Sequence, residues 1–113
     1  MRKILTSALL MFCLFALTSP ASAMDIARGL RGQADSSYRI AKKAYRKAVK
    51  DYGESLQGMP ETERASACKK MGYGIYDNRT QIPLESSYFY ETQYRRQLKE
   101  LEGYAKTLGC PNQ

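Results

Sequence analysis

Ala34, Tyr38, Ala41, Tyr45, Ala48 and Tyr52 follow one another at spacings of 4, 3, 4, 3 and 4 residues. That alternation is the period of an α-helix carrying one seam against a neighbour. At 100° per residue the six side chains fall within about 80° of arc, and Val49 and Leu56 share that side. The pattern predicts a first helix over residues 33–57. Alanine lets a neighbouring backbone approach while the tyrosine rings flank it, so the seam reads as core. The same seam also suits a docked partner helix or a second copy of the chain. Between the tyrosines stand Arg39, Lys42, Lys43, Arg46, Lys47 and Lys50, at about 40° to 180° from Tyr38, with no acid before Asp51. The helix is therefore two-faced. Gly29 and Gly32 weaken its extension into the preceding MDIARGLRG.

GESLQGMP, residues 53–60, reads as a stop. Pro60 suits the first turn of a second helix, and Glu61 and Glu63 favour its positive end. That helix is predicted to run to Met71, with Lys69 and Lys70 in its last turn and Gly72 beyond it. GYGIYDNRTQIP, residues 72–83, is predicted to be a loop because two glycines, Asp77-Asn78 and Pro83 all discourage regular structure. A third helix is predicted over 84–108, where Tyr94, Leu98, Leu101, Ala105 and Leu108 again space as 4, 3, 4, 3. Gly109 fits its C-terminal stop and Pro111 bars continuation. The predicted fold is all-α, a small antiparallel helical bundle of about three helices, two long and one short, without strands.

The N-terminus reads differently. MRK is followed by the apolar run ILTSALLMFCLFAL, shorter than the ~20 residues of a spanning helix, and then by TSPASA. Ala21-x-Ala23 is the small-residue pattern that signal peptidase cuts after. Residues 1–23 are thus expected to be a cleaved signal peptide and 24–113 a single helical domain, periplasmic or secreted, with no stable membrane insertion after cleavage. Cys13 lies inside the apolar run behind Phe12, a poor match to a lipid-attachment site. Cys68 and Cys110 remain. In an oxidising compartment they are expected to form one disulfide that staples the bundle.

The full chain holds 18 basic and 11 acidic residues. Without Arg2 and Lys3 the balance is 16 against 11, a net charge of +5. Such a surface favours acidic proteins or anionic envelope components. Nucleic acid is not expected, since no recognition motif accompanies the charge. The chain has no histidine, which removes the commonest general base and the commonest metal ligand. No catalytic, cofactor or metal residues are assigned and the chain is read as a non-enzyme. Two partner-binding candidates remain: the basic face of Arg39, Lys42, Lys43, Arg46, Lys47 and Lys50, and an aromatic patch of Tyr73, Tyr76, Tyr88, Phe89 and Tyr90. The expected role is docking on an acidic protein of the envelope or secretion machinery, or service as an inhibitor or immunity protein. An envelope-stress or chaperone-like role, with non-specific client or anionic-surface binding, is the alternative.

Overall fold

The structure, a computed structural model, describes residues 20–111, with side chains from Ile26 onward. Helix α1 spans Pro20–Tyr52, α2 Glu61–Gln81 and α3 Tyr88–Leu108. A short 3-10 turn, Ile82–Leu84, joins α2 to α3. No strand occurs among the described residues. The signal-peptide reading falls mostly outside them. Helix α1 runs unbroken through Ala21-x-Ala23, so cleavage there would remove residues 20–23 from it.

Alanines seven residues apart make the tightest contact. Ala27, Ala34, Ala41 and Ala48 are all at most 5% exposed. They face Ala67, Met71, Gly74 and Asn78 of α2, which are buried at the matching spacing. The two helices are antiparallel: Asn78 Nδ2 donates to the Ala34 carbonyl (3.3 Å) and Gln81 Nε2 to that of Ala27 (3.0 Å). Helix α3 runs antiparallel to α2 through Leu101, which packs on Gly74, and through the bond from Arg64 Nη1 to the Leu108 carbonyl. The core is completed by Leu56, Ile75, Ala105 and Leu108. Cys68 and Cys110 are joined, with Cα atoms 5.4 Å apart, so α2 is tied to the tail that follows α3.

The bundle and its bridge match the prediction, but the element lengths do not. Helix α2 does not stop at Gly72. It continues ten residues further through the segment predicted to be a loop, so it equals α3 in length. The reason is tertiary. At Gly74 α1 passes close, with the Ser37 carbonyl and Ala41 Cβ against it, and Asn78 bonds both the Gly74 and Ala34 carbonyls. Packing of this face outweighs the weak propensity of glycine and asparagine. Asn78 is fully buried, so Asn78-Arg79-Thr80 is not an accessible glycosylation site. Helix α1 starts earlier than predicted because Ala27 and Arg31 find partners in Gln81 and Glu85, and it ends at Tyr52. Leu56 lies beyond it in a left-handed conformation (φ 57°), where burial offsets a cost of about 1–2 kcal/mol. Helix α3 begins at Tyr88, after the 3-10 turn that contains Pro83.

Two glycines of α2 provide a test. A Cβ on Gly74 would lie 2.7 Å from Leu101 Cδ1, 3.2 Å from the Ser37 carbonyl and 3.4 Å from Ala41 Cβ, whereas one on Gly72 would meet nothing within 4 Å. Leu101 can turn away, but the Ser37 backbone cannot. Gly72→Ala should therefore stabilise the fold by about 1 kcal/mol through helix propensity. Gly74→Val should destabilise it by about 1–3 kcal/mol through overpacking. Denaturant melts of the two variants should shift in opposite directions. Shifts in the same direction would contradict the close approach of α1 and α2 at Gly74.

Candidate functional site

The seam of α1 divides into two contacts. Its alanines face α2, while Arg31, Tyr38 and Tyr45, again seven residues apart, lean towards α3. The tyrosines are half-buried rather than core, which corrects the single-seam reading. Tyr45 stacks on Tyr104 at 4.0 Å between ring centres. The Tyr38 hydroxyl donates to Glu100 Oε2 (2.5 Å), and the Tyr104 hydroxyl to Glu100 Oε1 (2.5 Å). Tyr52 lies outside this group and donates to Glu63 of α2 (2.6 Å).

Lys42 belongs to that network and not to the free basic face, a second correction. Its Nζ lies 3.0 Å from Glu100 Oε1 and donates to the Tyr38 hydroxyl at 3.1 Å. The Tyr38 oxygen first, and then Glu100, hold the ammonium above its ordinary range. Burial acts to raise the Glu100 carboxyl, but Tyr104, Tyr38 and Lys42 together outweigh it and hold it below 4.5. Burial, reinforced by Glu100, pushes Tyr104 up to about 12. At 40° from Tyr38, Lys42 is the member of the predicted face nearest the seam, and its length lets it reach α3.

Arg39, Lys43, Arg46, Lys47 and Lys50 are exposed. None of the five forms an ion pair among the described residues. They occupy about 80° to 180° of the helix circumference, and Arg39 to Lys50 spans about 16 Å along the axis. Elsewhere four acids pair with basic side chains: Glu85 with Arg31, Glu61 with Arg64, Glu102 with Arg79 and Glu91 with Arg95. The negative end of the α1 dipole lies close to Lys50 and offsets part of the mutual repulsion in the last turn.

The aromatic candidates sit on two helices. Tyr73 and Tyr76 are exposed on α2, and Tyr76 lies with Leu30 and Gln33 of α1 around a cavity. Tyr88 and Phe89 are exposed at the start of α3. Tyr90 is half-buried, edge-on to Phe89 at 5.3 Å, and carries the Arg31 guanidinium 3.8 Å above its ring. Among the described residues a ring contact joins Phe89 and Tyr90, and none reaches them from the α2 tyrosines.

A groove of about 200 Å³ between α1 and α2 is lined by Lys47, Asp51, Glu63 and Lys70 above the small residues Ala44 and Ser66. Its two cations balance its two anions. Among the described residues no group of His, Cys, Asp and Glu side chains could hold a metal ion, and no helix is long and apolar enough to cross a membrane. Sequence reasoning missed Arg31, Glu85, Glu100 and Tyr104. Only the recurrence of position 31 seven residues before Tyr38 hinted at one of them. Comparison of the chain with protein-family models, with curated proteins and with solved structures finds no match.

Proposed function

We propose that the protein is an exported, non-enzymatic binding module whose α1 stripe docks on an acidic protein of the cell envelope or secretion machinery, or blocks such a protein as an inhibitor or immunity factor. The observation that carries this reading is the contrast along α1. Lys42 is drawn to an acid of its own fold, while Arg39, Lys43, Arg46 and Lys50 keep their charge without one, and Lys47 stands at the edge of the stripe beside Asp51 and Glu63 without an ion pair to either. Five like charges on one helix face destabilise it modestly, and an acidic surface would relieve that repulsion. The compartment follows from the sequence of residues 1–23, and the partner's acidity follows from the stripe.

Lys43→Glu with Lys47→Glu tests the reading. Both side chains are exposed, so helicity and thermal midpoint should stay close to wild type. Association with the partner should fall at least about tenfold, or about 1.4 kcal/mol. Wild-type association should weaken as salt rises, because screening shortens to ~8 Å near physiological strength. Binding insensitive to both the reversal and salt would remove the stripe from the mechanism.

A further inference from the structure

The fold trims both edges of the basic face. On the edge towards α3, Lys42 is drawn to Glu100, and Tyr45 and Val49 beside it are half-buried. On the other edge Lys47 stands beside Asp51 and Glu63, and beyond it on α1 lie Ala44 and Ile40, which carry no charge. Between the two edges remains a single row of Arg39, Lys43, Arg46 and Lys50. All four are exposed, and none forms an ion pair among the described residues. They follow one another at spacings of 4, 3 and 4 residues. At 100° per residue they fall within about 60° of arc, on a line of about 16 Å with rises of about 6, 4.5 and 6 Å.

We propose that the occupant of this row is an α-helix of the acidic partner, carrying Asp or Glu at the same spacing of 4, 3 and 4 residues. The proposal rests on the docking reading above and specifies what docks. Opposite charges on facing helices pair across the contact when they share a repeat. A matched helix reproduces the rises of the row and meets all four cations at once. An extended segment presents alternate side chains about 6.8 Å apart, so its four acids span about 20 Å and the last falls about 4 Å out of step. A bilayer surface has no such spacing, and no apolar side chain lies within the row to enter it. The spacing reads the same in both directions, so the row accepts a partner helix of either polarity. Arg39 and Arg46 offer planar forks that each take both oxygens of one carboxylate, and Lys43 and Lys50 offer point charges. Exposed ion pairs are individually weak, so discrimination comes from meeting all four together.

Three fluorescent peptides of alanine and glutamine, each of about 20 residues and long enough to be helical, would carry four glutamates apiece. The first places the glutamates at the spacing of the row. The second disperses them around the helix at every fifth position. The third keeps the spacing of the row but has a central proline that breaks the helix. Each would be titrated against the disulfide-bonded protein at about 0.1 M salt, where screening is about 10 Å. The first peptide should bind at least about fivefold more tightly than the other two. Arg46→Gln should remove most of that preference, whereas Lys69→Gln, at an exposed position of α2, should leave it intact. Equal affinity for all three peptides would overturn the proposal and leave docking by charge alone. Tighter binding of the proline peptide would overturn it in favour of an extended partner. A preference that Arg46→Gln leaves intact would place the contact off the row and overturn it equally. Binding of none of the three would overturn it together with the docking reading.

Discussion

Arg31→Ala should destabilise the fold by about 3 kcal/mol, the lower end of the cost of orphaning one member of a buried ion pair. The lower end applies because the Arg31 side chain is 26% exposed, whereas the Glu85 side chain is fully buried. Arg31 Nε and Nη2 grip the two Glu85 oxygens at 2.7 and 2.8 Å, and Gln81 Nε2 donates to the same carboxylate at 2.7 Å. Arg31 is the main reason the Glu85 carboxyl sits below 4.5, with Gln81 helping and burial opposing. The pH dependence follows. With a folded value below the unfolded one, Glu85 contributes stability above about pH 4.5 and loses it as pH falls through the folded value. In the variant, burial is opposed only by Gln81, and the folded value should rise. The deficit of Arg31→Ala should then shrink on acidification as Glu85 takes up a proton. Adding Glu85→Gln should recover much of the loss at neutral pH. Chemical melts between pH 3 and 7 would show both effects, and a deficit independent of pH would contradict the pairing.

Loss of the Cys68–Cys110 bridge should cost about 4 kcal/mol, the loop-closure entropy of its 42-residue separation. For a domain of this size that corresponds to a fall in Tm of about 15–30 °C. The bridge ties the end of the bundle opposite Arg31 and Glu85, where Arg64 also reaches the Leu108 carbonyl and Gly109 turns the chain in a left-handed conformation. The two staples are far apart, so their losses should add. Cys68→Ser with Cys110→Ser should melt like the reduced wild type, and reductant should have no further effect on it. A double variant that melts within a few degrees of oxidised wild type would show that the bridge contributes little.

The α1 seam was legible because its period is local: alanines seven apart mark the buried line whatever packs on it. The bridge was legible because residues 24–113 hold two cysteines, which permit one pairing. The path of α2 was not. A glycine needed for close approach looks like a helix breaker until Ser37 and Leu101 are seen against it. Arg31 and Glu85 are 54 residues apart, and neither belongs to a motif. The basic face was readable in outline. Its edge was not, since only the position of Glu100 separates Lys42 from its neighbours.

The role of the stripe is tested most directly by photo-crosslinking in the producing cell. A photoreactive residue would replace Arg39, Lys43, Arg46 or Lys50 in turn, with Lys69, Lys99 and Lys106, exposed cations on the other two helices, as controls. The expected result is one adduct, with a single acidic protein, at the four α1 positions and absent at the three controls. Adducts of equal yield at all seven positions, or none on α1, would contradict docking through this face.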